Sequence, residues 1–378
     1  MLLLEADGKT LLAEYGIPVP PGTLDPTVPP PGAGPWIVKA QVPVGGRGKA
    51  GGIICCTTAA EVSAAARRLL GTRLKGHRVD ACLIEQAAAG QERYLAVMVD
   101  PASYGLRVIY GAQGGIDIEQ SGSADARLCA PHPGAVTEAL ADLIAAEPDA
   151  WRDQIAAIGK SLAELLIARE LALAEINPLF VSANGCTAGD AKIVIDLNAI
   201  GRQPTIAGMI AARPDIYADA NRKITEGFDY VELDPEGEIG LVTTGAGLSM
   251  MLIDELTARG ARPLNFCDIR TGQFRGSPAR LLRVLSWITS RPSLKAVLVN
   301  IFAGITDLGE FATLLAAAIK GTPALNAPVV ARLVGRNAAE ARRILGEAQP
   351  GMLVTEDLQE ALARVGAIVG AGQCGAGR

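Results

Sequence analysis

The chain has 378 residues, enough for two or three domains, and its 49% hydrophobic and 20% charged residues are typical of a globular protein. The formal net charge of −5 gives no general attraction to nucleic-acid backbones or anionic membranes, and aromatic residues, at 4%, are scarce as stacking platforms for bases. These values disfavour a nucleic-acid-binding protein, and any affinity for phosphate has to be local.

The amino terminus has a short apolar run with no basic residue before it, and acidic residues follow the run directly. This pattern is not that of a signal peptide. No apolar stretch reaches the length of a membrane span without a charge or a turn residue. The seven cysteines lack CxxC spacing, so we expect buried thiols, including Cys55 and Cys56, rather than a disulfide or zinc framework. The sequence therefore predicts a soluble, cytoplasmic protein.

Apolar residues at helical spacing predict a first helix over residues 7–15. Two apolar runs, at residues 36–38 and 53–56, then flank a loop over residues 45–52 that contains five glycines. This pattern predicts a strand, a glycine-rich turn and a returning strand, followed by a helix over residues 58–70.

The glycine-rich loop is typical of a lid over a nucleoside triphosphate. Glycines let the backbone approach a ligand closely, so the loop amides can point at phosphate oxygens while Arg47 and Lys49 supply charge. Lys39 stands at the end of the strand before the loop. The spacing matches neither the P-loop nor the dinucleotide-binding motif. From the loop alone, an ordinary hairpin with a flexible basic tip remains the alternative.

Several short strands are predicted next, with antiparallel character. One covers residues 81–85 and ends in Glu85, another begins at Glu92, and further apolar runs lie at residues 107–110 and 114–119. As charges at strand ends, Glu85 and Glu92 are by default solvated.

Two later segments carry oxygen ligands suited to a metal. Residues 174–179 are predicted to end a long helical stretch and contain Glu175 and Asn177, and Asp190 stands at the head of the following strand. Mg²⁺ prefers oxygen ligands and usually takes only one or two protein groups, a requirement that Asn177 and Asp190 fit. The alternative is a helix-to-strand turn with a capping aspartate.

The last part of the chain follows a different pattern. After a polar segment at residues 214–227, interpreted as a linker, four apolar runs at 239–243, 263–268, 296–302 and 328–333 alternate with helices. This alternation predicts an open, mostly parallel sheet, whose ligands bind at the carboxyl ends of the strands. Glycine-containing loops at residues 244–247 and 303–306 are placed there, although each one alone could be an ordinary tight turn.

These motifs together resemble the β subunit of succinyl-CoA synthetase, in the ADP-forming acid–CoA ligase family. The resemblance rests on Gly-Pro-Trp-Ile-Val-Lys at residues 34–39, the glycine loop at 45–52, Glu-Ile-Asn-Pro-Leu at 175–179, Asp-x-Lys at 190–192, and the stretches 245–248, 300–305 and 329–333. It implies an α/β and α+β chain: an N-terminal ATP-grasp fold over residues 1–225 that binds nucleotide and Mg²⁺, then a flavodoxin-like CoA-ligase domain over residues 226–378.

The resemblance also implies roles for single residues. ATP, cleaved to ADP, would lie under the glycine loop, with Mg²⁺ on Asn177 and Asp190. Catalytic roles fall to Arg47, Lys49 and Glu175, the last facing a phosphohistidine on a partner chain. The residues implied to bind the nucleotide are Lys39, Gly46, Arg47, Gly48, Glu85 near the adenine and Glu92 near the ribose.

The family works through a phosphohistidine, yet this chain has only His77 and His132, both expected in surface turns. In the family that histidine and most of the CoA site belong to the α subunit. The resemblance therefore implies an α-type partner, and a reaction in which a small carboxylic acid is activated as an acyl phosphate and converted by CoA to acyl-CoA. A self-contained ATP-grasp carboxylate ligase and a non-catalytic nucleotide-binding subunit remain alternatives.

The implied acid pocket departs from the family pattern. It comprises Thr244, where the family has asparagine, together with Gly304, Ile305 and Thr306. Residues 268–276 replace a segment with a glycine triplet, and residues 306–309 replace Val-Arg-Cys-Asp. These changes weaken the assignment of succinate more than that of a ligase, so the acid and the choice of ATP or GTP stay open.

Overall fold

The structure is a computed structural model that describes residues 1–115, 124–274 and 276–373. It comprises two compact units, Met1–Ile216 and Tyr217–Arg378. Most of the strand expected over residues 114–119 lies outside the described residues, as does Arg275 within the segment 268–276. No helix among the described residues combines the length and the apolar character needed to cross a bilayer.

The first unit is mainly antiparallel sheet with helices packed on it. Its described helices are α1 (Glu5–Glu14), α2 (Ala59–Leu69), α3 (Pro133–Leu143), α4 (Asp149–Ala168) and α5 (Pro204–Ala212), with a 3-10 turn at Ile200–Arg202. Its described strands are β1 (Gly22–Thr23), β2 (Trp36–Ala40), β3 (Ile53–Cys56), β4 (Arg73–Leu74), β5 (His77–Arg78), β6 (Cys82–Gln86), β7 (Gln91–Asp100), β8 (Gly105–Gly111), β9 (Ala124–Cys129), β10 (Leu171–Ser182), β11 (Gly185–Ala188) and β12 (Lys192–Ile195).

The glycine hairpin forms as predicted. Strands β2 and β3 pair antiparallel, and they belong to a sheet with the order β1-β6-β2-β3. In the loop between them Gly46 and Gly51 take φ values of 69° and 78°, in the left-handed region that favours glycine. The apolar face of α2 packs on this sheet. The expectation that both neighbouring cysteines are buried is wrong for Cys55, which is exposed while Cys56 is buried, because successive strand residues face opposite sides.

The second sheet of this unit has the order β11-β10-β7-β8-β9, with β12 also paired to β10. The expectation that Glu175 and Asn177 end a helical stretch is wrong. Helix α4 stops at Ala168, and both residues lie on β10, which has partner strands on both sides. A largely buried central strand is a near-continuous apolar run, and such a run cannot be told from a buried helix by periodicity alone.

The second unit is a parallel sheet between helices. Its described helices are α6 (Ala218–Glu226), α7 (Ala246–Ala258), α8 (Ala279–Thr289), α9 (Leu308–Lys320), α10 (Ala338–Ala348) and α11 (Leu358–Gln373), with a 3-10 turn at Thr271–Gln273. Its described strands are β13 (Asp229–Glu232), β14 (Ile239–Thr243), β15 (Asn265–Asp268), β16 (Ala296–Ala303), β17 (Val329–Gly335) and β18 (Leu353–Thr355). The order β14-β16-β17-β18, all parallel, confirms the predicted open sheet.

Alternate side chains of the parallel strands enter different cores. Val297 and Val299 of β16 pack with α8 and α9, whereas Leu298 packs with α7 and α11 on the other face. This two-sided burial is the reason that the strands contain few polar residues.

Two expectations about the second unit are corrected. Strand β15, expected in the parallel sheet, pairs antiparallel with β13. It contacts β14 partly through the side chain of Asn265. The Oδ1 atom of Asn265 accepts a hydrogen bond from the backbone N–H of Leu241, and its Nδ2 atom donates one to the carbonyl oxygen of Leu241, both at 2.9 Å. The expected linker at residues 214–227 contains α6, on which Arg222 lies over the rings of Tyr230 and Trp287.

Candidate functional site

A cavity of about 510 Å³ lies in the first unit, between the glycine loop, the strand β10 and the start of β12. Its volume is in the range of small-molecule sites. Most of the residues implied to bind nucleotide or metal line it, whereas Glu85 does not. Those lining it are Lys39, Gly46, Arg47, Gly48, Lys49, Glu92, Glu175, Asn177 and Asp190.

Lys39 is held in a buried cluster of charges at one side of the cavity. Its Nζ lies 2.8 Å from a carboxylate oxygen of Glu5 and 2.6 Å from one of Glu85, and it donates to the carbonyl oxygen of Gly189 at 2.6 Å. Lys9, one turn after Glu5, contacts the same three groups. Burial alone would lower the pKa of Lys39, but the two carboxylates raise it above its ordinary value.

Arg47 folds back from the glycine loop into the same cluster and is only 7% exposed. Its Nη2 lies 2.9 Å from both carboxylate oxygens of Asp190 and 2.7 Å from Glu5, and its Nη1 donates to the carbonyl oxygen of Ala40. Burial and the charge of Glu5 raise the pKa of Asp190, and the neighbouring cations oppose this. Lys49, by contrast, is exposed.

Glu175 and Asn177 reach the cavity from neighbouring positions on β10. The Oε2 atom of Glu175 accepts hydrogen bonds from the Tyr94 hydroxyl at 3.2 Å and from Lys192 at 3.3 Å. Lys192 is the direct partner of Glu175 across β10 and β12. The pairing of β10 with β7 shifts register around Asn177, whose Oδ1 accepts from the backbone N–H of Gly115 at 2.7 Å.

The oxygen donors of this cavity suit Mg²⁺. Asn177 and Asp190 supply amide and carboxylate oxygens, the hard ligands that Mg²⁺ prefers. Among the described residues, no group of three or more His, Cys, Asp or Glu side chains is arranged to hold a metal ion, so the protein ligands would be few. This set leaves the remaining positions of an octahedral ion to water and phosphate oxygens.

Both histidines lie on the surface, as predicted. His77 is exposed in the two-residue strand β5. His132 is exposed at the start of α3, where its Nδ1 accepts from the backbone N–H of Ala135 and caps the helix. Neither histidine lines the described cavity.

The loops implied to hold the acid meet at one edge of the second unit. Thr244 follows β14 and Gly304 follows β16, and these strands are parallel neighbours, so both loops stand at their carboxyl ends. Ile305 is 94% exposed. The Thr306 hydroxyl lies 2.9 Å from that of Thr271, which joins two of the segments that depart from the family pattern.

Comparison with known proteins decides the family. Residues 2–181 match the ATP-grasp domain and residues 242–368 match the CoA-ligase domain. The ADP-forming succinate–CoA ligase subunit beta of Chloroflexus aurantiacus is 37% identical, over 96% of this chain and 98% of that protein. The corresponding subunit of Desulfurococcus amylolyticus is 33% identical, over 97% of this chain and 98% of its own length.

The chain belongs to the succinate–CoA ligase β-subunit family. Membership confirms the resemblance drawn from the motifs and the order of an ATP-grasp fold followed by a CoA-ligase domain. The fold is also similar to that of ATP citrate lyase from Methanothrix soehngenii, with a TM-score of 0.68 over 94% of this chain and 95% of that one. At 16% identity that similarity shows the fold alone.

Four cavity or cluster residues of this β-subunit family member were missed by the sequence analysis. Glu5 and Lys9 carried a weak signal, since an i,i+4 pair of opposite charges is usually a surface feature of a helix. The sequence signal for Lys192 was clearer. Residues two apart in an extended chain face the same side, and Lys192 follows the proposed metal ligand Asp190 at that spacing. Tyr94 had no local signal, since it lies in a run of apolar strand residues.

Proposed function

We propose that this chain is the nucleotide-binding β subunit of an ADP-forming acid–CoA ligase. The supporting observation is that one cavity joins the glycine loop, basic side chains and the oxygen donors Asn177 and Asp190. In this proposal residues 1–225 bind ATP, with Gly46, Arg47 and Gly48 at the phosphates and Glu92 at the ribose. Residues 226–378 are the CoA-ligase domain.

Asn177 and Asp190 would hold Mg²⁺, which when bound neutralises charge on the phosphate oxygens. The protein's own part is to position the nucleotide and exclude water. Lys39 lines the cavity and pairs with the buried Glu85, which does not line it, so Glu85 would act on the nucleotide through Lys39. Lys49, exposed on the loop, would contact phosphate directly.

Glu175 would face a histidine of an α-type partner. Its carboxylate is held by Tyr94 and Lys192, and such a fixed acceptor can orient an imidazole ring by accepting its N–H. His77 and His132 are exposed away from the cavity lining, which supports a nucleophile from the partner. The terminal phosphoryl group of ATP would pass to that histidine, leaving ADP, and then to the carboxylate of the acid. The thiol of CoA, bound mainly by the partner, would attack the acyl phosphate, forming acyl-CoA and releasing phosphate.

The acid would bind at Thr244, Gly304, Ile305 and Thr306. Thr244 lies just before the start of α7, where backbone N–H groups and the helix dipole favour a carboxylate. We name a small carboxylic acid rather than succinate, because Thr244 stands where the family has asparagine and Asp307 stands where it has arginine.

The test uses the full-length chain, alone and together with an α-type subunit. Thioester formation is measured with CoA, ATP or GTP, and a panel of acids that includes succinate and malate. We expect acyl-CoA only when both chains are present. Acyl-CoA from this chain alone would establish a self-contained ligase, and nucleotide binding without turnover in the presence of the partner would establish a non-catalytic subunit.

A further inference from the structure

Four basic side chains line the cavity within the described residues, and they differ in how firmly they are engaged. They are Lys39, Arg47, Lys49 and Lys192. Lys39 contacts two buried carboxylates and a carbonyl oxygen, and Arg47 contacts Glu5, Asp190 and a carbonyl oxygen. Removing one partner from a buried ion pair leaves an uncompensated charge and is strongly destabilising. An incoming phosphate therefore meets strong competition for Lys39 and Arg47.

Lys192 is engaged much more weakly. Its side chain is 40% exposed, and its ammonium lies 3.3 Å from Glu175, at the long end of hydrogen-bond distances. Glu175 also accepts from the Tyr94 hydroxyl, so it keeps a partner when Lys192 turns away. A lysine ammonium has three donors on a flexible stem, which makes this rotation inexpensive.

The position of Lys192 indicates which part of a nucleotide it can reach. It stands two residues after Asp190, with which it lines the cavity, and directly across from Glu175 on β10. Under the proposed function, Asp190 marks the metal and Glu175 marks the acceptor histidine. A cation between these two residues lies where the terminal phosphate has to be for transfer.

We infer that Lys192 binds the terminal phosphate of the nucleotide, in addition to the phosphate contact proposed for Arg47. This inference rests on the proposed function, since it requires nucleotide in the cavity. It adds a phosphate-binding residue that neither the glycine loop nor the metal ligands supply. Lys192 then changes partner on nucleotide binding, from the carboxylate of Glu175 to a phosphate oxygen.

The test compares Lys192→Gln with the wild-type full-length chain by calorimetry, using Mg²⁺ with a non-hydrolysable ATP analogue and, separately, with ADP. Loss of a charge-assisted contact should weaken binding of the ATP analogue roughly ten- to hundredfold. The ADP affinity should change less than about threefold, because ADP lacks the terminal phosphate. Lys192→Arg should recover part of the lost affinity, since it restores the positive charge.

Lys160→Gln is the matched control, because Lys160 is an exposed lysine on α4 that pairs with Glu164 and does not line the cavity. It should match the wild type with both nucleotides. Equal affinities of Lys192→Gln and wild type for the ATP analogue would overturn the inference while leaving the nucleotide site in place. Equal losses for both nucleotides would indicate a structural role and also overturn it. A wild-type chain that binds neither nucleotide would refute the proposed function itself.

Discussion

The Nη2 atom of Arg47 lies 2.9 Å from each carboxylate oxygen of Asp190, although the two residues are 143 positions apart in the chain. The same nitrogen is 2.7 Å from a carboxylate oxygen of Glu5. The glycine loop is thus attached by a charged side chain both to α1 and to the segment before β12. The two basic residues of the glycine loop therefore have different surroundings, since Arg47 is buried and Lys49 is exposed. Their substitutions should have different effects.

Lys49→Ala should weaken Mg·ATP binding without lowering stability. Lys49 is exposed, and a lost charge-assisted contact to phosphate costs about 1.5 to 3 kcal/mol, or roughly ten- to hundredfold in affinity. Arg47→Ala should lower both the affinity and the free energy of unfolding, the latter by about 3 to 5 kcal/mol, because Glu5 and Asp190 lose a buried partner.

Calorimetry and thermal unfolding of both variants check this pair of expectations. The midpoint of unfolding should stay at the wild-type value for Lys49→Ala and fall for Arg47→Ala. Unchanged Mg·ATP affinity in both variants would remove the loop from the nucleotide site.

Asp190→Asn should lower the affinity for a divalent cation while preserving the fold. The amide oxygen can still accept a hydrogen bond from Arg47, but it lacks the charge that Mg²⁺ favours. Binding of Mn²⁺, as a paramagnetic probe of the Mg²⁺ position, is measured in the presence of ADP. Asp153→Asn, an exposed change on α4, is the control. Identical Mn²⁺ titrations for wild type and Asp190→Asn would exclude Asp190 as a ligand.

A buried ion pair outside the cavity should make stability depend on pH. Arg93 donates two hydrogen bonds to Glu147, at 2.7 and 3.0 Å, and the Tyr110 hydroxyl donates a third at 2.7 Å. Burial alone would raise the pKa of Glu147, but Arg93 and Tyr110 bring it below its ordinary value. Because the folded pKa is the lower one, this stabilisation is present above the unfolded value of about 4.3 and is lost as the pH falls through the folded value.

Glu147→Gln should therefore lower the free energy of unfolding by about 1.5 to 3 kcal/mol at pH 7, and the difference from wild type should shrink in acid. Denaturant unfolding of both full-length chains at pH 7 and at about pH 3.5 measures this. Glu164→Gln, at a half-buried position on the same unit, should show no such change. A gap between Glu147→Gln and wild type that is independent of pH would contradict the ionic origin.

The parts of the fold that were predictable from the sequence have local causes. The glycine hairpin follows from two short apolar runs around a glycine-rich segment, and α2 from an amphipathic run that begins after the capping residue Thr58. The parallel sheet follows from apolar runs alternating with helices, as at β14 and β16.

The parts that were not predictable depend on contacts between distant residues. Glu5 meets Lys39 and Arg47 only after folding, and its i,i+4 spacing from Lys9 does not indicate that its carboxylate is the centre of a buried cluster. The strand containing Glu175 has the sequence pattern of a helix as much as of a strand, because its apolar run is continuous rather than alternating, a result of its central place in the sheet. Asn177 and Asp190 were proposed from their chemistry, and the structure brings both to one cavity wall.

The most direct measurement of the central claim follows the phosphoryl group itself. The isolated full-length chain is incubated with γ-labelled ATP and Mg²⁺, and then the α-type subunit is added. We predict no acid-labile, base-stable label on this chain in either case, and label on a histidine of the α-type subunit once it is present. Stable phosphohistidine at His77 or His132, or acyl-CoA formed by this chain alone, would contradict the account.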